Sequence, residues 1–296
     1  MALMIVRAWI AALAGAIATG TSASGCGSTA TSTDEVPTVV ASFYPLAFVA
    51  ERVGGPDVQV VDLTPPGVES HDLELTPRQV TDIASADLVV YQKGFQPAVD
   101  DAVEQNASGT ELDITEVASL DDLTGDPHVW LDPTRFAAIT QEVADALGDV
   151  VPAKADAIQG RADELVGELT ALDEEFRAGL AVCERQVVVT THEAFGYLGD
   201  RYGLDFVGIS GPEGEAEVSP ARLREVQDVI ENGNVTTVFT ERLVSPEVAD
   251  TLAADLGTTT AILDPIEGLT EDTEGEDYLT LMRANLGALR RANGCT

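Results

Sequence analysis

Along most of the chain, short apolar runs alternate with segments whose apolar residues recur every three or four positions. The first pattern is typical of buried strands and the second of amphipathic helices. In the first half we predict strands at Val39–Ala41, Val58–Leu63 and Asp87–Tyr91, and helices at Pro45–Val53, Thr76–Ala84 and Gln96–Gln105. In the second half we predict strands at Gln186–Thr190, Phe206–Ile209, Thr237–Thr240 and Thr260–Leu263, each followed by a helix. Such alternation predicts parallel sheets covered by helices on both faces.

One long helical region, residues 134–180, separates the two halves, and Pro152 divides it. Its second part carries an apolar stripe formed by Ile158, Ala162, Leu165, Leu169, Leu172, Phe176 and Leu180. Steps of three and four place this stripe on one face of a helix about 40 Å long. We therefore predict an α/β protein with two Rossmann-like lobes, 36–150 and 182–296, joined by a linking helix at 151–181. The stripe covers too few heptads to indicate a coiled-coil dimer, so we expect a monomer.

Residues 1–25 have the pattern of a secretory signal. Arg7 is their only charge, and the apolar stretch Trp9–Ala18 that follows is too short to cross a bilayer about 30 Å thick. The segment ends in Ala23-Ser24-Gly25-Cys26, which resembles a bacterial lipobox with Ala23 where Leu is usual. We predict that Cys26 is lipidated and that residues 26–35 form a flexible tether, which places the protein on the outer face of the cell membrane. A plain secreted protein is the alternative.

The cysteine count is consistent with this export. The chain has three cysteines, and lipidation of Cys26 leaves Cys183 and Cys295. A disulfide between these two residues is compatible with an oxidising compartment outside the cytosol. Two unpaired thiols are the alternative.

Charge excludes one class of partner. The chain has 51 acidic and 16 basic residues, a formal net charge of -35. A protein this acidic has no electrostatic attraction for phosphate backbones, so we expect no nucleic-acid partner.

The three histidines, His71, His128 and His192, all lie in loops or at strand ends. Each alone is more typical of an ordinary surface or core position. Together they are a candidate ligand set, because α/β lobes bind ligands at the carboxyl ends of their strands.

Four segments that include these histidines resemble a known family. They are Pro66–Asp72, Asp126–Pro133, Thr191–Tyr197 and Leu263–Pro265, and they resemble the metal-specific solute-binding components of bacterial ABC importers, the ZnuA-like and TroA-like zinc/manganese group. The resemblance implies two lobes joined by a backbone helix, a metal site in the cleft between them, and delivery of the ion to an ABC permease. It implies the ligands His71, His128, His192 and Asp264.

The ligand set implied by the resemblance indicates the metal. Three imidazoles and one carboxylate favour zinc, whereas manganese prefers oxygen-rich sites. Manganese or iron stays an alternative, because a shift from His192 to Glu193 would restore a manganese-type set. Asp72 and Asp132 are candidates to orient the histidines. An acidic segment between the first two motifs is more typical of a solvated loop than of a metal collector; its acids are Glu111, Asp113, Glu116, Asp121, Asp122 and Asp126.

The sequence favours a binding protein over an enzyme. His192-Glu193 begins like the zincin motif His-Glu-x-x-His, but Gly196 stands where the second histidine is required. Glu241 and Asp264 read as ordinary strand-end acids. Four protein ligands would close a zinc tetrahedron, which suits capture, whereas catalytic zinc keeps an open position. A zinc hydrolase and a surface adhesion lipoprotein without metal are the alternatives from other classes.

Overall fold

Two parallel four-stranded sheets form the centre of the computed structural model, which describes residues 36–117, 125–212 and 218–296. The predicted signal, Cys26 and the tether lie outside these residues, as do Asp121 and Asp122. In the first lobe the strands are β1 (Thr38–Ala41), β2 (Gln59–Asp62), β3 (Leu88–Tyr91) and β4 (Thr110–Asp113), in the order β2-β1-β3-β4. Its helices are α1 (Tyr44–Gly54), α2 (Pro77–Ser85), α3 (Pro97–Asn106) and α4 (Pro133–Val150).

The long helix α5 (Ala155–Leu180) leads to a second lobe with the same topology. Its strands are β5 (Val187–Thr190), β6 (Asp205–Gly208), β7 (Thr237–Thr240) and β8 (Thr259–Ile262), in the order β6-β5-β7-β8. Its helices are α6 (Gly196–Tyr202), α7 (Pro220–Asn232), α8 (Glu247–Leu256) and α9 (Tyr278–Asn293). The predicted fold class, two parallel α/β lobes joined by a long helix, is confirmed.

One strand was not anticipated by the pattern. β4 pairs with β3 and places Glu111 opposite Val89 and Asp113 opposite Tyr91. The sequence predicts an acidic loop at this position. Its residues are exposed or half-buried, so β4 lacks the apolar run by which the other strands were recognised. The Asp113 carboxylate accepts hydrogen bonds from the backbone N–H groups of Lys93 and Thr115, at 3.2 and 2.9 Å. These two acids therefore belong to the edge of the sheet.

Alternate residues of the central strands pack into different apolar clusters. Val39 of β1 and Val188 of β5 face one large cluster that includes residues of both lobes. Val40 and Val189, one position further, face two separate clusters on the outer sides of the first and second lobe. Parallel strands buried on both faces require this continuous apolar sequence. The lobes thus have separate outer cores but share one inner core.

Helix α5 connects the lobes through its apolar stripe. The predicted stripe from Ile158 to Phe176 is fully buried, and α5 packs against α1 and α4 of the first lobe and α6 and α9 of the second. After its end, a disulfide joins Cys183 to Cys295, which follows α9; of the two alternatives that the cysteine count left open, the structure has the paired one. In the part of the chain that the structure describes, no helix combines the length and apolar character needed to cross a membrane.

Candidate metal site

Side chains from four loops converge at the facing edges of the two sheets. His71 follows β2, His128 lies between β4 and α4, His192 follows β5, and Glu267 follows β8. One nitrogen from each histidine and one oxygen of Glu267 lie within 4.8 Å of one another. The structure therefore brings together three of the four predicted side chains, and Glu267 takes the place expected for Asp264.

The spacing of these atoms has the dimensions of a small coordination polyhedron. His128 Nε2 lies 3.3 Å from His71 Nε2, 3.4 Å from His192 Nε2 and 3.0 Å from Glu267 Oε1. The same Glu267 oxygen lies 3.6 Å from both His71 Nε2 and His192 Nε2. Zinc bonds of about 2.0–2.1 Å in a tetrahedron place neighbouring ligand atoms about 3.3 Å apart. The five distances given above, 3.0–3.6 Å, are close to that spacing.

The site is nearly closed to solvent. The side chains of His128, Glu267 and His192 are 0%, 2% and 3% exposed, and that of His71 is 8% exposed. Burial raises the pKa of the Glu267 carboxyl, but hydrogen bonds with the three imidazoles outweigh burial and hold this pKa well below its usual range. The site therefore presents a carboxylate, which is the form that binds a cation.

In both His128 and His192, the Nδ1 atom, which is not the nitrogen that faces the other histidines, lies within hydrogen-bond distance of a carboxylate. His128 Nδ1 lies 2.8 Å from Asp126 Oδ1, and His192 Nδ1 lies 2.7 Å from Glu241 Oε1. Metal-binding histidines usually donate this second N–H to a carboxylate or carbonyl, which directs the Nε2 lone pair at the metal. Burial lowers the pKa of both imidazoles, but hydrogen bonds with Asp126 or Glu241 and with Glu267 outweigh it and raise the pKa, for His192 to about 10.

The two acids that the sequence suggested for this orienting role lie elsewhere. Asp132 caps helix α4, where its carboxylate accepts hydrogen bonds from the backbone N–H and the hydroxyl of Thr134, at 2.8 and 2.7 Å. Asp72 is exposed. In the sequence, Asp126 belongs to the acidic segment and Glu241 is a strand-end acid. No pattern in the sequence links either residue to the histidines.

Asp264 stabilises the loop that carries Glu267. Its carboxylate accepts hydrogen bonds from Arg242 Nε at 2.9 Å and from the backbone N–H of Ile266 at 2.8 Å. An aspartate before a proline at a strand end is a typical turn residue, because its short side chain reaches the N–H group two residues ahead. This turn chemistry is the signal that separates Asp264 from the longer Glu267 three positions later.

Glu69 adds a second carboxyl beside Glu267. Its side chain accepts hydrogen bonds from the backbone N–H groups of His71 and Asp72, at 2.9 and 3.3 Å. Burial, a hydrogen bond with Glu267 and the charge of Glu267 raise the pKa of Glu69 to about 9. Glu69 is therefore harder to ionise than an ordinary glutamate, because Glu267 beside it holds the negative charge.

Glu193 is the residue that would replace His192 in a manganese-type ligand set. It points away from the four-residue cluster formed by His71, His128, His192 and Glu267. It is exposed, and its Oε1 accepts a hydrogen bond from Arg222 Nη2 at 2.8 Å. His192 is the residue of this pair that faces His71, His128 and Glu267.

Comparisons with known proteins place this arrangement in a family. Residues 39–292 match the model of the ZnuA family, described as the periplasmic component A of the zinc-uptake complex. The chain belongs to this family. The match includes all four residues of the cluster and confirms the resemblance seen in the sequence.

Curated relatives in the ZnuA family carry zinc in their names. The zinc-binding lipoprotein AdcA of Streptococcus pneumoniae serotype 4 is 32% identical over 275 residues, which cover 86% of this chain and 55% of that protein. The chain thus spans about half the length of AdcA. The high-affinity zinc uptake system protein ZnuA of Bacillus subtilis is 30% identical over 274 residues, 85% of this chain and 86% of that protein.

Solved structures of ZnuA-like proteins have the same fold. The laminin-binding protein Lbp of Streptococcus pyogenes superposes with a TM-score of 0.79 at 31% identity, covering 86% of this chain and 98% of that one. The Zn(II)-bound ZnuA-like domain of Streptococcus pneumoniae AdcA superposes with a TM-score of 0.76 at 30% identity, covering 88% and 99%.

Proposed function

We propose that this protein captures zinc outside the cytoplasm and delivers it to an ABC-type permease in the membrane. The observation that carries the proposal is the convergence of three imidazole nitrogens and one carboxylate oxygen. Within this set, His128 Nε2 lies 3.0 to 3.4 Å from each of the other three atoms. Zinc accepts such a mixed set at tetrahedral geometry. Relatives named as zinc-binding and zinc-uptake proteins support the same cargo.

The composition of the site favours zinc over manganese. Imidazole nitrogens outnumber oxygen donors three to one, whereas manganese prefers carboxylate, carbonyl and water ligands. The pairing of Glu193 with Arg222 argues against the manganese-type register.

The closed ligand set favours transport over catalysis. A catalytic zinc keeps a coordination position for water or substrate, and four buried protein donors leave none in a tetrahedron. Adhesion, which the names of some similar structures include, gives no reason for the four side chains to converge.

Export and anchoring complete the proposal. The signal-like residues 1–25 would direct export, and a lipid on Cys26 would hold the protein at the outer face of the membrane near its permease. Mass spectrometry of the protein from a membrane fraction would detect the lipidated Cys26.

The test is a metal titration of two neighbouring variants. We expect the purified protein to bind one zinc ion per chain tightly and manganese more weakly, and to hydrolyse no ester, peptide or phosphate. His192→Ala should lower zinc affinity by at least about 100-fold, because it removes one of four ligands that together contribute roughly 10–16 kcal/mol in structural zinc sites. Glu193→Gln, one residue away and exposed, should leave zinc affinity unchanged. Sensitivity at Glu193 with tolerance at His192 would favour manganese, and weak zinc binding by the unmodified protein would refute the proposal.

A further inference from the structure

The loop formed by residues 265–269 follows β8 of the second lobe, but its backbone is hydrogen-bonded to the first. The carbonyl oxygens of alternate loop residues accept three hydrogen bonds. Trp130 Nε1 donates to Pro265 at 2.8 Å, Ser70 Oγ to Glu267 at 3.0 Å, and the Gly67 N–H to Leu269 at 2.7 Å.

The start of this loop is fixed to the second lobe. The side chain of Asn285 on α9 accepts from the backbone N–H of Asp264 and donates to its carbonyl, at 2.9 and 2.6 Å. The chain then turns at Ile266, whose φ of 58° is rare for a β-branched residue. Such a conformation persists only where surrounding contacts fix it. The hydrogen bonds from the first lobe are contacts of this kind.

Two of these donors lie next to histidines of the cluster. Ser70 immediately precedes His71, and Trp130 lies two residues after His128, with ring centroids 5.2 Å apart. Ser70 and Trp130 are 0% and 1% exposed, so each donor and its carbonyl partner are withdrawn from competing water.

His192 is attached differently. Its Nδ1 is bonded to Glu241 at 2.7 Å, and its carbonyl accepts a hydrogen bond from Thr190 Oγ1 at 2.7 Å. These partners all belong to the second lobe. The hydrogen bonds made outside the cluster therefore attach His71, His128 and Glu267 to the first lobe and His192 to the second, although each lobe carries two of the four residues in its sequence.

We propose that Ser70 and Trp130 are positioning residues for Glu267, so that His71, His128 and Glu267 form one three-ligand unit on the first lobe, to which the second lobe adds His192. The inference rests on the proposed capture of a metal at this cluster. It assigns Ser70 a role through the Glu267 backbone, without contact to the ion.

The first test removes the Ser70 hydroxyl and leaves its backbone in place. Ser70→Ala should lower zinc affinity by about 10-fold, the low end of the effect of residues that orient metal ligands. Ser70→Thr, which keeps the hydroxyl, should restore most of it. Thr140→Val is the matched control, because the buried Thr140 hydroxyl also donates to a carbonyl, that of Phe136 at 2.8 Å, within helix α4. We expect Thr140→Val to leave zinc affinity unchanged.

A double-mutant cycle then separates positioning from a general structural role. If Ser70 acts through Glu267, Ser70→Ala should cost less than about 2-fold in a Glu267→Ala background, since no carboxylate remains to be positioned. An equal loss in both backgrounds would overturn the inference. The d–d absorption of bound cobalt(II) gives a second measurement: Ser70→Ala should weaken the four-coordinate signature although all three histidines remain, and an unchanged spectrum would also count against the inference. Failure of the unmodified protein to bind zinc would instead refute the proposed function.

Discussion

The two lobes have the same strand order, but they present their site residues from different positions. His128 and Glu267 follow corresponding strands, β4 and β8. His71 follows β2, whereas His192 lies two residues after β5, the counterpart of β1. Two residues after β1 the first lobe has Phe43, whose ring packs 4.7 and 4.8 Å from those of Phe95 and Trp130. The topology thus fixes the sheet edge at which candidate ligands can lie, and the loop sequences determine which residues lie there.

The lobes also support their histidines by different interactions. In the first lobe, the His71 ring lies 4.6 Å from Phe95, and the His128 ring lies 5.2 Å from Trp130. In the second lobe, His192 depends on the carboxylate of Glu241 at 2.7 Å. Aromatic packing fixes the position of a ring without requiring a charge, whereas a carboxylate also sets its pKa. Both lobes therefore place a carboxylate on a histidine, Asp126 on His128 and Glu241 on His192, but the first lobe also packs aromatic rings against His71 and His128.

The largest expected effect tests the shared inner core against the separate outer ones. Phe176→Ala in α5 should lower the free energy of unfolding by about 3–5 kcal/mol, because it empties a fully buried site in the inner core, which includes residues of both lobes. Ile230→Ala, in the outer cluster of the second lobe, should cost about 2–5 kcal/mol. Hydrogen exchange should then report loss of protection in both sheets for Phe176→Ala, and mainly around β5–β8 for Ile230→Ala. Loss confined to one lobe in both variants would mean that the lobes fold independently.

The disulfide is a second difference between the lobes. It joins Cys183 to Cys295 across 112 residues of sequence, and both ends belong to the second lobe. Cys183→Ser combined with Cys295→Ser should lower the free energy of unfolding by about 2–5 kcal/mol, chiefly by enlarging the conformational freedom of the unfolded chain. Zinc affinity should not change, because Cys183 lies before the amino end of β5, whereas His192 follows its carboxyl end. Denaturant unfolding and a zinc titration of the same sample check both expectations.

The sequence predicts the buried parts of this molecule better than the exposed ones. The sequence predicts β1 and β3 because both faces of these strands are covered, so that all their positions except Thr38 are apolar. β4 was missed because its Thr-Glu-Leu-Asp sequence lies at a sheet edge and carries no such run. The helix α5 was found from its stripe, since periodicity reports one buried face directly.

The site was predictable where the sequence offers few candidates. With three histidines in the chain, their convergence could be proposed from their positions at strand ends. With 51 acidic residues, the choice among carboxylates could not be made by residue type. The turn chemistry of Asp264 before Pro265 is a sequence signal for its structural role, but no sequence pattern announces the positive φ of Ile266 in the loop that carries Glu267.

Two variants three residues apart sharpen the contrast between Glu267 and Asp264. Glu267→Gln removes the charge that faces the three imidazoles and should lower zinc affinity by about 10- to 100-fold. Asp264→Asn keeps an oxygen for the Ile266 N–H but weakens the pair with Arg242, so it should lower thermal stability with a smaller change in zinc affinity. Chelator competition and thermal unfolding measure the two effects. A larger loss of affinity for Asp264→Asn would return the ligand role to the residue that the sequence suggested.

The smallest expected effect is the pH dependence that Glu241 confers on the second lobe. Burial opposes charge on His192, but hydrogen bonds with Glu241 and Glu267 raise its pKa to about 10. In the metal-free protein the protonated ring stabilises the fold fully below its unfolded pKa of about 6.5, and this stabilisation is lost as the pH rises toward 10. Zinc requires the neutral ring, so its binding displaces this proton and becomes more favourable as the pH rises.

The difference in Tm between zinc-loaded and metal-free protein should therefore widen from about pH 6.5 to about pH 9. Glu241→Gln should reduce this widening, because it removes one of the carboxylates that hold the proton. Thermal unfolding at stepwise pH, with and without zinc, measures both, and a constant difference in Tm would show that His192 does not exchange its proton for the metal.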